Sequence, residues 1–120
     1  MFSKELRQEL NGKLEGVYKR ATKAIREVDQ NHIILLGGAP WNGNFEPFTD
    51  WKFDDKIMYT CHRYGGEPTK EAIKGIIDFR DKTKLPMYMG EIGHNTDKWQ
   101  ADFCETMRKA NIGYTFWPYK

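Results

Sequence analysis

Glu91 closes the run Leu85-Pro86-Met87-Tyr88-Met89-Gly90-Glu91-Ile92-Gly93-His94-Asn95, a short apolar strand that ends in an acid between two glycines. A carboxylate at the end of a strand, with a helix to follow, is where parallel α/β enzymes place their chemistry. Three other strand-like runs end in the same manner. Ile57-Met58-Tyr59-Thr60-Cys61 leads to His62-Arg63-Tyr64, and Tyr114-Thr115-Phe116 leads to Trp117. His32-Ile33-Ile34-Leu35-Leu36 leads to Gly37-Gly38, with Trp41-Asn42 just beyond. One polar strand end is commonplace, because strand ends face water. Four in order, carrying Trp and Asn, His and Tyr, Glu, and Trp, argue for a site.

Those ends need elements to hold them. Leu6, Leu10, Leu14, Tyr18, Ala21, Ile25 and Val28 recur at spacings of three and four, which predicts a helix over 3–28 with one apolar face. Asp29-Gln30-Asn31 stops it, and strand 32–37 follows. Residues 39–55 form a long connection. Strand 57–61, a loop at 65–69, helix 69–82 and strand 86–90 come next. Asn95 or Thr96 caps a helix reaching about Ala110, with Trp99, Phe103 and Met107 four apart. Asn111-Ile112-Gly113 ends that helix, and strand 113–117 is the last element. The strands are short, apolar and unalternating, which suits burial on both faces of a parallel sheet with right-handed crossovers. Four such strands would leave two open edges, and the chain reads as cut at both ends.

With 120 residues the chain is long enough for one domain and too short for a closed barrel of eight β/α units, which takes about 250. Nineteen basic residues against 17 acids give a net charge of +2, with no basic stripe of the kind nucleic acid requires. No apolar run approaches the roughly 20 residues of a membrane span. The charged, amphipathic start is not read as a signal peptide. Cys61, in a strand, and Cys104, in a helix, read as buried small hydrophobes. The three histidines have no ligand spacing, so no metal and no cofactor are expected. Trp41, Trp51 and Trp117 fall in or beside strand-end loops, where a large ring is costly unless it meets something flat, such as a sugar.

Gly37-Gly38-Ala39-Pro40-Trp41-Asn42, Cys61-His62-Arg63-Tyr64, Gly90-Glu91-Ile92-Gly93 and Phe116-Trp117-Pro118-Tyr119 stand at successive strand ends. Together they resemble the C-terminal half of a retaining glycoside hydrolase of family 5, the cellulase and endoglucanase family. The resemblance implies half of a TIM (β/α)8 barrel, a single (βα)4 domain over 1–120 running from helix four to strand eight of the parent. It further implies that Glu91 is the nucleophile, that Tyr64 holds its carboxylate, that His62 hydrogen-bonds within the site, and that Trp117 lies under the sugar at the cleaved bond. Trp41 and Asn42 become contacts in neighbouring subsites, the substrate a β-glucan or related polysaccharide, and the parent enzyme a secreted one.

Retaining hydrolysis needs a second carboxyl about 5–5.5 Å from the first. The family's Asn-Glu-Pro motif, at the end of strand four, is absent from the chain. Glu67-Pro68 follows Gly65-Gly66 instead of asparagine and reads as a helix-start acid favoured by the dipole. Glu46, Asp54 and Asp55 read as loop acids. The chain alone is therefore expected to be inactive or nearly so. Two alternatives are a half-barrel scaffold that self-associates, completed by a second copy or a partner half, and a weak carbohydrate-binding unit using Trp41 and Trp117.

Overall fold

In the computed structural model, which describes residues 3–118, four strands form one parallel sheet in the order β1-β2-β3-β4. The strands are β1 (Ile34–Gly37), β2 (Ile57–Arg63), β3 (Met87–Ile92) and β4 (Gly113–Phe116). Helix α1 (Lys4–Arg26) precedes them, α2 (Lys74–Thr83) joins β2 to β3, and α3 (Asp97–Ala110) joins β3 to β4. Sequential strands are neighbours throughout, as in a stretch of β/α barrel.

Local chemistry explains the boundaries. Ser3 and Thr96 cap α1 and α3, their side chains accepting from the backbone N–H of Leu6 and Trp99. Lys84 and Asn111 end α2 and α3 in the left-handed conformation. Helix 69–82 begins later than its sequence suggests: a 3₁₀ turn, Glu71–Ile73, leads into α2. Glu67 lies in the irregular segment before that turn, exposed, so it is not a helix-start acid; Glu71 has that position.

The core lies between the sheet and its helices. Leu36, Ile57, Tyr59, Cys61, Met87 and Met89 meet Ile73, Ile77, Phe79, Phe103 and Met107 there. Both cysteines are buried and unpaired, as their surroundings in the sequence suggest. The strands are not buried on both faces, however. Ile57, Tyr59 and Cys61 are buried toward the helices, whereas Met58, Thr60 and His62 are half-exposed on the other face. That second face is the concave side of a barrel wall. Leu35 is 49% exposed there.

Helix α1 is the largest departure from the sequence reading. Only Leu14 and Tyr18 of its apolar stripe pack against the core; Leu6, Leu10, Ile25 and Val28 are exposed. Its buried residues are polar, Glu15 and Thr22. Periodicity reports which residues gain from burial, not whether a neighbouring surface receives them. Polar bonds dock the helix instead. Tyr18 donates to the carbonyl of Gly37 at 3.0 Å, and Arg26 makes a two-point contact with Asp54, both bonds 2.9 Å.

Candidate active site

The site is assembled at the C-terminal ends of the strands, and a β-bulge aims its central residue. Cys61 pairs with Met89, but the next pair is His62 with Glu91, so Gly90 is an extra residue in β3. Met87 and Met89 point to the helices. In a regular strand Glu91 would follow them to the helix side, because side chains alternate. The bulge shifts the count by one and sets Glu91 on the concave face, level with His62. Glycine is required at the bulge: a Cβ on Gly90 would lie 2.6 Å from Oγ1 of Thr60.

Three side chains converge on Glu91 or its neighbour. The Tyr64 hydroxyl donates to Oε2 of Glu91. Nδ1 of His62 lies 3.2 Å from the same oxygen. Nδ2 of Asn42 lies against the His62 ring, 2.9 Å from Nε2 and 3.5 Å from Nδ1. Burial and the adjacent Glu91 carboxylate push the Tyr64 phenol up to about 12, so it remains a donor at neutral pH.

The loop after β1 brings in Asn42 at some backbone cost. Trp41 and Asn42 both adopt positive φ, 48° and 59°. Asparagine tolerates that region; for tryptophan it stores strain on the order of 1–3 kcal/mol. Gly37 gives the Asn42 side chain room, since a Cβ there would lie 2.0 Å from Oδ1. Glu15 braces the loop from α1, accepting from the backbone N–H groups of Thr49 and Asp50, each at 2.8 Å. Burial alone would raise its pKa, but those donors and Lys19 outweigh it and leave the carboxyl below its ordinary value.

The two flanking tryptophans are open to solvent, Trp41 at 90% and Trp117 at 55% exposure. Trp117 is tied to the site through its backbone, donating to the carbonyl of Ile92 at 2.7 Å. Gly93, at φ 151°, permits this: a Cβ would lie 2.2 Å from the carbonyl oxygen of Trp117. Trp51 belongs elsewhere. It is half-buried against the core with the Lys82 ammonium 4.6 Å above its ring, so it is a packing residue.

The structure thus brings together Glu91, Tyr64, His62 and Asn42, and sets Trp41 and Trp117 on exposed loops beside them. Sequence reasoning overlooked the residues that support them. Asn95 donates to the carbonyl of Tyr64 at 3.0 Å, Glu15 holds the 39–55 connection, and Gly90 forms the bulge. Glycine before the strand-end acid was the available signal for the bulge. Nothing in the sequence signals that Glu15, on a charged helix, reaches inward. Among the described residues no second carboxylate is bonded within the cluster: Asp54 is paired with Arg26, and Glu67 is exposed.

Four parallel strands with flanking helices, and a hydrogen-bonded carboxylate at their C-terminal ends, define part of a TIM-type barrel. The family model described as cellulase (glycosyl hydrolase family 5) matches residues 3–120, and the chain belongs to that family. An endoglucanase of Clostridium saccharobutylicum is 29% identical over 107 residues, covering 78% of this chain and 23% of its own length. Endoglucanase A of Butyrivibrio fibrisolvens is 32% identical over 97 residues, covering 74% of this chain and 22% of its own. The chain therefore spans under a quarter of these curated relatives. Among solved structures, Thermotoga maritima Cel5A with mannotriose superposes with a TM-score of 0.78 at 23% identity, over 92% of this chain and 48% of that one. XacCel5A with cellopentaose gives 0.71 at 16%, over 89% and 45%. At these identities the likeness is one of fold, and it covers about half a barrel.

Proposed function

We propose that this chain carries the nucleophile half of a retaining β-glycosidase site of the endo-1,4-β-glucanase type. Its elements correspond to helix four through strand eight of the parent barrel, a single half-barrel unit. Glu91 attacks the anomeric carbon, and the aglycone leaves with its bonding electron pair. The resulting glycosyl ester is then released by water. Tyr64 and His62 hold Oε2 so that the other carboxylate oxygen is free to attack. Trp117 forms the platform beneath the reacting sugar, and Trp41 and Asn42 line neighbouring subsites. The acid/base comes from a carboxyl outside these residues, so the chain by itself does not protonate an ordinary sugar leaving group. That help is worth about 10² to 10⁴-fold.

The observation that carries this reading is the bulge that aims Glu91 into the bonds from Tyr64 and His62. The test exploits the missing acid. A 2-deoxy-2-fluoro-β-cellobioside with a dinitrophenolate leaving group needs no protonation, and the fluorine slows release of the ester. The chain should gain one fluorocellobiosyl group by mass spectrometry, on the peptide containing Glu91, and Glu91→Gln should gain none. Labelling at another carboxylate, or none even after addition of a family N-terminal half, would overturn the assignment.

A second reading, a half barrel that associates without catalysis, is favoured by the exposed apolar edges. Ile33 and Leu35 lie at β1, and Phe116 at β4. A copy related by a two-fold axis would set each β4 against the other's β1 and close an eight-stranded ring.

A further inference from the structure

Among the described residues, five other than glycine adopt positive φ: Trp41, Asn42, Lys84, His94 and Asn111. Lys84 and Asn111 end α2 and α3, which accounts for their backbone. Trp41 and Asn42 belong to the loop that reaches His62. His94, at φ 47°, ends no helix. It stands in the connection from β3 to α3, two residues past the end of the strand that carries Glu91. Backbone strain of this kind collects where a side chain must be presented to a ligand.

The segment around His94 is held on both sides. Before it, the carbonyl oxygen of Trp117 lies against Gly93. After it, the Asn95 side chain donates to the carbonyl of Tyr64 at 3.0 Å, and the Asn95 carbonyl accepts from the Gln100 side chain at 2.9 Å. The His94 ring stands beside that of Tyr64, with centroids 6.2 Å apart, and Tyr64 is the residue that donates to Glu91. The imidazole is exposed, and among the described residues it has no hydrogen-bond partner. The other two histidines are engaged, His32 by Asp29 and His62 by Glu91 and Asn42. An anchored, strained backbone thus holds out a free imidazole next to the tyrosine of the nucleophile. A neutral imidazole offers one donor and one acceptor, the pairing that a sugar hydroxyl takes up.

We propose that His94 is a substrate-binding residue of the Glu91 site, hydrogen-bonding a hydroxyl of the β-linked oligosaccharide that lies over Tyr64 and Trp117. The proposal rests on the glycosidase reading. His94→Gly tests it, because glycine adopts φ 47° without strain and the change removes only the imidazole. In the unaltered chain, cellotetraose should move the His94 Cε1–H resonance saturably, with the same millimolar dissociation constant as the indole fluorescence. The resonance of His32, which precedes β1 at the other end of the sheet, should stay in place. His94→Gly should melt no lower than the parent yet bind cellotetraose about three- to tenfold more weakly. It should still be labelled at Glu91 by the fluorocellobioside. Unchanged cellotetraose affinity in His94→Gly, with Glu91 still labelled, would overturn the role of His94 and leave the glycosidase reading standing. A lowered melting temperature would make His94 a packing residue and likewise overturn it. No label at Glu91 and no saturable shift would overturn both.

Discussion

Tyr64 directly follows the end of β2 and Glu91 lies on the neighbouring β3, and the hydroxyl of one closes on Oε2 of the other because the bulge at Gly90 turns Glu91 to the concave face. The contact leaves a mark on the phenol, whose pKa is pushed up to about 12 by burial and then by the carboxylate. In Glu91→Gln the second cause disappears and the first stays. The Tyr64 ionisation should therefore fall toward, but not reach, the ordinary 10.0. An alkaline difference-absorbance titration against Tyr64→Phe isolates that one phenol. An unchanged midpoint would mean that Glu91 does not touch it.

Glu15 gives the fold an acid-sensitive brace. Its carboxyl is held below its ordinary 4.5, so its contribution is fully present above that value and is lost as pH falls through the depressed folded value. Glu15→Gln leaves the donors of Thr49 and Asp50 poorly matched and should cost about 1–3 kcal/mol at neutral pH. Denaturant melts at pH 7 and pH 3.5 check both points. The difference between the two proteins should shrink at the lower pH, and a constant difference would show that the carboxylate charge is not what matters.

The open edges call for a partner. At roughly tens of micromolar the chain should sediment as a dimer, because paired strand edges and covered apolar residues are favoured over exposed ones. Leu35, on the concave face of the edge strand, is the residue to alter. Leu35→Lys should shift the chain to monomer or raise the dissociation constant at least about tenfold. A well-behaved monomer of the unaltered chain would rule the closed ring out.

Trp117 offers an optical test of the sugar platform. Cellotetraose should change indole fluorescence with millimolar affinity at best, about −4 kcal/mol, because the proposed site offers it few side-chain partners. Trp117→Ala should lose most of that signal and keep its oligomeric state. If it unfolds, or titrates like the parent, Trp117 is a packing residue.

Much of the fold was legible because it rests on local rules. The caps at Thr96 and Asn111 and the buried ladder Trp99, Phe103 and Met107 follow from residue type and spacing, while the sequential strand order is what the family resemblance implies. The candidate site was legible in part: Glu91, His62, Tyr64 and Asn42 do meet. What escaped depends on three-dimensional availability. The stripe Leu6, Leu10, Ile25 asks for a surface that the described residues do not offer, whereas Glu15 finds donors 34 and 35 residues away. Trp51 turns inward because the core under Lys82 receives it. Glu67 misled because proline after an acid suggests a helix start, and the chain begins to coil only at Glu71.

The extra residue at Gly90 has a bearing on how this strand could be altered or reused. Orientation of the acid depends on counting, not on identity. Flattening the bulge while keeping Gly90 would turn Glu91 toward α2 and α3, whereas deleting Gly90 would set Glu91 directly after Met89, where ordinary alternation still holds it on the concave face opposite His62. Conversely, the segment cannot be grafted onto another wall as a bare run of letters. It must travel with a small hydroxyl opposite the bulge, as Thr60 is here, because the gap at Gly90 is only as wide as that neighbour allows.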